Sequence, residues 1–171
     1  MHSPSADTPL ARQLRATRLA FTRPAPGLRS SAPIAACDDL HLARGLALRA
    51  TDELLNPGEL LPSLVAENGA PTDPLTAART ATRSAAATLL DRPTLRRSPR
   101  LRAATDAESR HVRALVAIAV ADGHGQHTPI GYALQGVRYL TEAIVSLADG
   151  DTCTAAASTQ VAQIFLGRVS R

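Results

Sequence analysis

The chain has 171 residues and a mass of 17.9 kDa, the size of one domain or of one domain with a tail. With 44% hydrophobic and 20% charged residues it can bury a core, while 2% aromatics argue against an aromatic-rich β-sandwich and against a stacking surface for single-stranded nucleic acid. The net charge is +4, no apolar run approaches the roughly 18 residues of a membrane span, and two cysteines are too few for a disulfide scaffold.

The first 36 residues read as a flexible basic arm, broken by Pro4, Pro9, Pro24, Pro26, Gly27 and Pro33. One short helix is predicted inside it, over 9–22. Asp7 or Thr8 caps it, Pro9 occupies its first turn, Leu10, Leu14 and Phe21 share a face, and Arg12, Arg15 and Arg18 line another. A basic, acid-poor N-terminus is also the composition of an organellar transit peptide. The domain proper is predicted over 37–171.

A first domain helix is predicted from a cap at Asp38 or Asp39, through Leu40, Ala43, Leu46, Ala47, Ala50 and Leu54, to a stop at Asn56-Pro57-Gly58. Residues 59–73 read as a connection with one turn near 60–66. Asp73-Pro74 opens a helix to about Leu90, with Leu75, Ala78, Thr82, Ala85, Ala86 and Leu89 inward. Ser98-Pro99 opens the next, to about Ala121, where Gly123 and Gly125 stop it; Leu101, Thr105, Val112, Leu115, Val116 and Ala119 face inward. Thr128-Pro129 opens another, with Ile130, Leu134, Val137, Ile144 and Leu147 on one face, until Gly150. Asp151 caps the last, with Ala156, Gln160, Ile164 and Phe165 inward.

The recurring cap-then-proline start is the strongest signal in the chain. It joins a side-chain oxygen that accepts from the orphan N–H groups of a first turn to a residue that lacks an N–H. No convincing alternating segment and no fixed-length repeat is present. The predicted fold is all-α, an antiparallel bundle of four to five helices with a flexible N-terminal tail. Thirty-three alanines bury little area each, so pairing of two bundles would complete the burial, and a homo-oligomer is expected.

All 19 basic residues are arginine, a bias a GC-rich coding sequence would produce by itself, so position carries more meaning than number. The net charge is +4 over residues 1–37, −4 over 38–91, +5 over 92–113 and −1 over 114–171. Opposite-sign blocks attract one another within or between molecules, and basic ones recruit polyanions.

Three groups of residues are candidates for chemistry. Arg92, Arg96, Arg97, Arg100 and Arg102 form an interhelical basic segment suited to phosphate contact with salt-sensitive affinity. Within it Arg97-Ser98-Pro99-Arg100 resembles the short Ser-Pro-basic motifs of minor-groove binders; the structural alternative is a solvated loop paired with acids such as Glu53, Glu59 or Glu67. Asp122, His124 and His127 could share a divalent metal, or simply make a polar turn between helices. Glu108-Ser109-Arg110-His111 has the Glu-x-x-His spacing of carboxylate-bridged bundle sites, but only one copy, so a surface role is expected. Cys153 sits in a helix first turn, with a small buried residue the expected role, and both cysteines are expected reduced.

These readings rank as a non-catalytic, self-associating helical protein of the cytoplasm acting through protein–protein interaction, with no cofactor and no membrane partner. The alternative is an accessory nucleic-acid-binding protein using residues 92–102. The third is a metal-dependent enzyme using Glu108, His111, His124 and His127.

Overall fold

The computed structural model describes residues 8–21, 32–57, 64–65, 71–90 and 97–169. Local chemistry sets five of the helix starts as the sequence predicts. Thr8 Oγ1 accepts from the Ala11 amide (3.1 Å), Asp73 Oδ1 from Thr76 (3.1 Å), Ser98 Oγ from Leu101 (3.3 Å), Thr128 Oγ1 from Gly131 (3.0 Å) and Asp151 Oδ1 from Thr154 (2.9 Å). The first four precede a proline in the first helical position.

The helices are α1 (Pro9–Phe21), α2 (Ala32–Leu55), α3 (Pro74–Leu90), α4 (Pro99–Ala121), α5 (Pro129–Ala148) and α6 (Thr152–Arg168). Between α2 and α3 lie two antiparallel two-residue strands, β1 (Leu64–Val65) and β2 (Pro71–Thr72), with Leu64 opposite Thr72 and Val65 opposite Pro71. The fold is all-α, and among the described residues six helices stand where four to five were expected.

Helix α5 is the axis of the core. Ile130, Leu134, Val137, Leu140, Ile144 and Leu147 are buried, and the helix packs on α2, α4 and α6. Helix α3 lies against α2 and α6, and α1 against α4 and α2. The Ser98 amide donates to the Ala148 carbonyl (2.8 Å), so the start of α4 meets the end of α5. Gly123 and Gly150 take positive φ (89° and 79°) in the turns after α4 and α5, a conformation glycine adopts without steric cost.

Three expectations are corrected. Helix α2 begins at Ala32, not at a cap formed by Asp38 or Asp39; those acids lie inside the helix, and Asp39 Oδ2 accepts from Ser84 Oγ on α3 (2.9 Å). Burial of Ala36 and Cys37 in the core makes upstream helix favourable despite the acids. Helix α1 is part of the packed domain rather than a free arm: Leu10 and Leu14 are buried in the main core cluster. On α6 the buried positions are Thr152, Ala155, Thr159, Ala162 and Leu166, whereas Gln160 and Ile164 are exposed and Ala156 and Phe165 half-buried. The fit of Leu166 against Gly136 sets that rotation, for a Cβ on Gly136 would stand 2.6 Å from Leu166 Cδ2.

Candidate functional site

Arg92 and Arg96 lie outside the described residues. Arg97 and Arg100 flank the α4 N-cap, both exposed, and neither joins an ion pair among the described residues. Arg102 is engaged, with Nε 3.1 Å from Asp106 Oδ1 and Nη1 on Asp149 Oδ2 at the end of α5. It therefore ties two helices together, where the sequence suggested a phosphate contact. On α1, Arg18 Nη1 pairs with Asp52 Oδ2 of α2 at 2.6 Å.

Asp122, His124 and His127 are not drawn into one ligand set. Among the described residues no group of three His, Cys, Asp or Glu side chains is placed to hold a metal. His127 Nδ1 lies 3.4 Å from the Tyr132 hydroxyl and its ring meets the Tyr132 ring edge-on, while Asp122 is exposed at the α4 C-cap. Cys153 is exposed, contrary to expectation, because the buried face of α6 runs through Thr152 and Ala155 instead.

Glu108 also departs from expectation. It is not a surface residue: it reaches inward to α2, where Arg44 is 1% exposed. Arg44 Nη2 stands 2.8 Å from Glu108 Oε2 and 3.0 Å from His41 Nδ1, and the guanidinium carbon lies 3.7 Å from the centroid of the Phe21 ring of α1. A guanidinium only donates, so His41 accepts at Nδ1 and its neutral ring carries the proton on Nε2. Burial, reinforced by the Arg44 charge, pushes the His41 pKa down from 6.5 to about 4. Burial likewise raises the Cys37 thiol from 9.0 to about 11, with Asp38 adding to the rise, so Cys37 stays protonated and is a poor nucleophile. Burial lowers the Arg44 pKa and Glu108 opposes that shift. The ion pair is close but poorly aligned: Arg44 Nε and Nη1 and Glu108 Oε2 lack hydrogen-bond partners. His111 does not join this pair; its carbonyl accepts from Gln13 Nε2 of α1 at 3.4 Å.

The sequence held a signal for this cluster that the apolar patterning obscured. Cys37, His41 and Arg44 are spaced four and three apart on α2, which places them on one face, and Arg44 falls between the core residues Ala43 and Ala47. A cation at such a position requires a buried acid from another element.

A second feature lies on the outer side of α4 and α5. A groove of about 370 Å³ runs between them, open to solvent. Val112, Val116 and Ala117 supply its apolar surface, and Arg113, Arg138 and Glu142 its charges. Arg138 Nε donates to Glu142 Oε1 (3.2 Å), and its guanidinium lies 5.4 Å from the Tyr139 ring centroid. Tyr139 in turn stacks on Phe165 of α6 with centroids 5.6 Å apart. The buried cluster therefore joins α1, α2 and α4 internally, and the groove presents α4 and α5 outward. Of these two features, the groove is the one open to a macromolecule without displacing a helix.

Compared with protein-family models, with curated proteins and with solved structures, the chain matches none.

Proposed function

We propose that this chain is a non-catalytic helical-bundle protein, its α4 and α5 antiparallel neighbours, that acts by binding another protein along the α4–α5 groove. The observation that carries the reading is the groove itself: Val116 and Ala117 line an open channel of about 370 Å³ with arginine on both of its walls. A helix side chain set into such a groove buries apolar surface while charges on the rim orient it. Low aromatic content does not oppose this, because alanine-rich surfaces let helix axes approach toward the short end of the usual ~8–10 Å range.

The test is Ala117→Arg, which fills the groove from an exposed helix position. Proteins captured by the wild-type chain but not by an equally folded Ala117→Arg variant support the reading. Identical capture by both refutes it. Self-association belongs to the same proposal in its homo-oligomeric form. A mass near twice 17.9 kDa by light scattering, returned to 17.9 kDa by Ala117→Arg, would make a second copy the partner.

Nucleic-acid binding is a second reading, favoured by exposed Arg97 and Arg100 at the N-terminus of α4. Two cations at the positive end of a helix dipole are placed to attract an anion. Changing Arg92, Arg96, Arg97, Arg100 and Arg102 to Gln should abolish duplex binding at low salt if this reading is right, and affinity in the unchanged chain should fall steeply with salt. No helix among the described residues is long and apolar enough to cross a membrane. Two free cysteines, Cys37 and Cys153, accord with a cytoplasmic setting, which we include in the proposal.

A further inference from the structure

We infer that the partner of the α4–α5 groove is an acidic amphipathic helix, an inference that rests on the groove being the docking face. Charge is the first argument. Glu142 is already committed to Arg138, which also lies 3.5 Å from Gln135 Oε1. Arg113 on the opposite wall is exposed and joins no ion pair among the described residues, and Arg110, on the same outer side of α4, is likewise exposed and unpaired there. Among the described residues the groove thus presents, at Arg113, a positive charge without a paired acid beside an apolar channel, and a carboxylate on the occupant would meet it.

Shape is the second argument. The α4 stretch that lines the groove, from Ser109 to Ala117, spans a little over two turns, or roughly 12 Å. That length matches a helix anchored by apolar side chains at i, i+4 and i+7. Between the outward arginines, three α4 side chains are small: Ala117 and Ala121 are exposed and Ala114 is half-buried. A partner helix can therefore approach closely once its anchors enter the channel.

The same charges disfavour a second copy. A two-fold pairing of this face would set Arg110 and Arg113 near the same residues of the other copy, and like charges in register cost several kcal/mol. Of the eight acids in residues 38–91, four lie on α2, namely Asp38, Asp39, Asp52 and Glu53, and none lies on α3 or lines the groove.

The experiment uses the full-length ¹⁵N-labelled chain and three synthetic peptides of about 18 residues. Each carries leucine at i, i+4, i+7 and i+11, with the flanking positions all Glu, all Gln or all Lys. The expected result is that the Glu peptide shifts the amide resonances of Arg113, Val116, Ala117 and Thr141, and that the Lys peptide binds at least about tenfold more weakly. Arg113→Glu should reverse that order, and Ala117→Arg should abolish binding of the Glu peptide. Equal binding of the Glu and Gln peptides at the groove, unchanged by Arg113→Glu, would overturn the acidic partner and leave the groove as a docking face. No shift at the groove with any peptide at about 1 mM would overturn both. A dimer that Ala117→Arg dissociates would replace the acidic helix with a second copy.

Discussion

Removing the Glu108 carboxylate should destabilise the protein far more than removing an exposed acid. Its partner Arg44 is 1% exposed, burial lowers its pKa and Glu108 opposes that shift, and a guanidinium keeps its charge in proteins. At 2.8 Å and an effective dielectric near 20, the Coulomb attraction is about 6 kcal/mol. The desolvation of both groups offsets part of it, but Glu108→Gln recovers none of the Arg44 desolvation. Loss of one member of such a pair costs about 3–5 kcal/mol; the lower half of that range applies, because Glu108 retains 14% exposure. For a chain of this length each kcal/mol moves Tm by about 2–4 °C, so a fall of roughly 6–16 °C is expected. Thermal and urea unfolding followed by circular dichroism at pH 7 provide the measurement. The control is Arg44→Met with Glu108→Leu, which removes both charges and should return to within about 1.5 kcal/mol of the unchanged chain. A loss below about 1 kcal/mol in Glu108→Gln, or a double variant as unstable as the single one, would refute the reasoning.

Two further outcomes follow from the same packing. His41 is held neutral, its pKa about 4 when folded against 6.5 ordinarily, so the unfolded chain binds the proton more readily between those values. The gap corresponds to as much as about 3 kcal/mol of stability that is present above pH 6.5 and lost as pH falls through 4. Urea midpoints at pH 7 and pH 4.5 should therefore differ less in His41→Gln than in the unchanged chain, and equal differences would contradict the burial of this ring. Gly136→Ala places a Cβ 2.6 Å from Leu166 Cδ2, and overpacking of about 1–3 kcal/mol should outweigh the roughly 1 kcal/mol gained in helix propensity. In a Leu166→Ala background the same change should become stabilising; calorimetry of the four proteins gives the coupling, and additive effects would rule out the contact.

Five of the helix starts were decided locally, and the sequence alone was enough to locate them. Thr8, Asp73, Ser98, Thr128 and Asp151 each satisfy an amide three residues ahead, an interaction that needs no distant partner. The inward faces of α3 and α5 were equally legible, since buried residues recur at helical spacing, alanines between Leu75 and Leu89 on α3 and large apolar side chains on α5. Where a local rule failed, a tertiary contact overrode it. Asp38 and Asp39 resemble caps, yet the burial of Ala36 and Cys37 carries α2 back to Ala32. Helix α6 has apolar and small residues on every side, so only the space above Gly136 determines that Leu166 turns in and Ile164 out. The candidate sites divide in the same way. The arginines around Ser98 could be found by counting charge, but that Arg102 is spent on Asp149 could not, because those residues are 47 positions apart. Nor could the Arg44–Glu108 pair or the α4–α5 groove be read from residue order. Both require separate helices brought side by side, and only the packed structure determines which faces meet and which remain open to solvent.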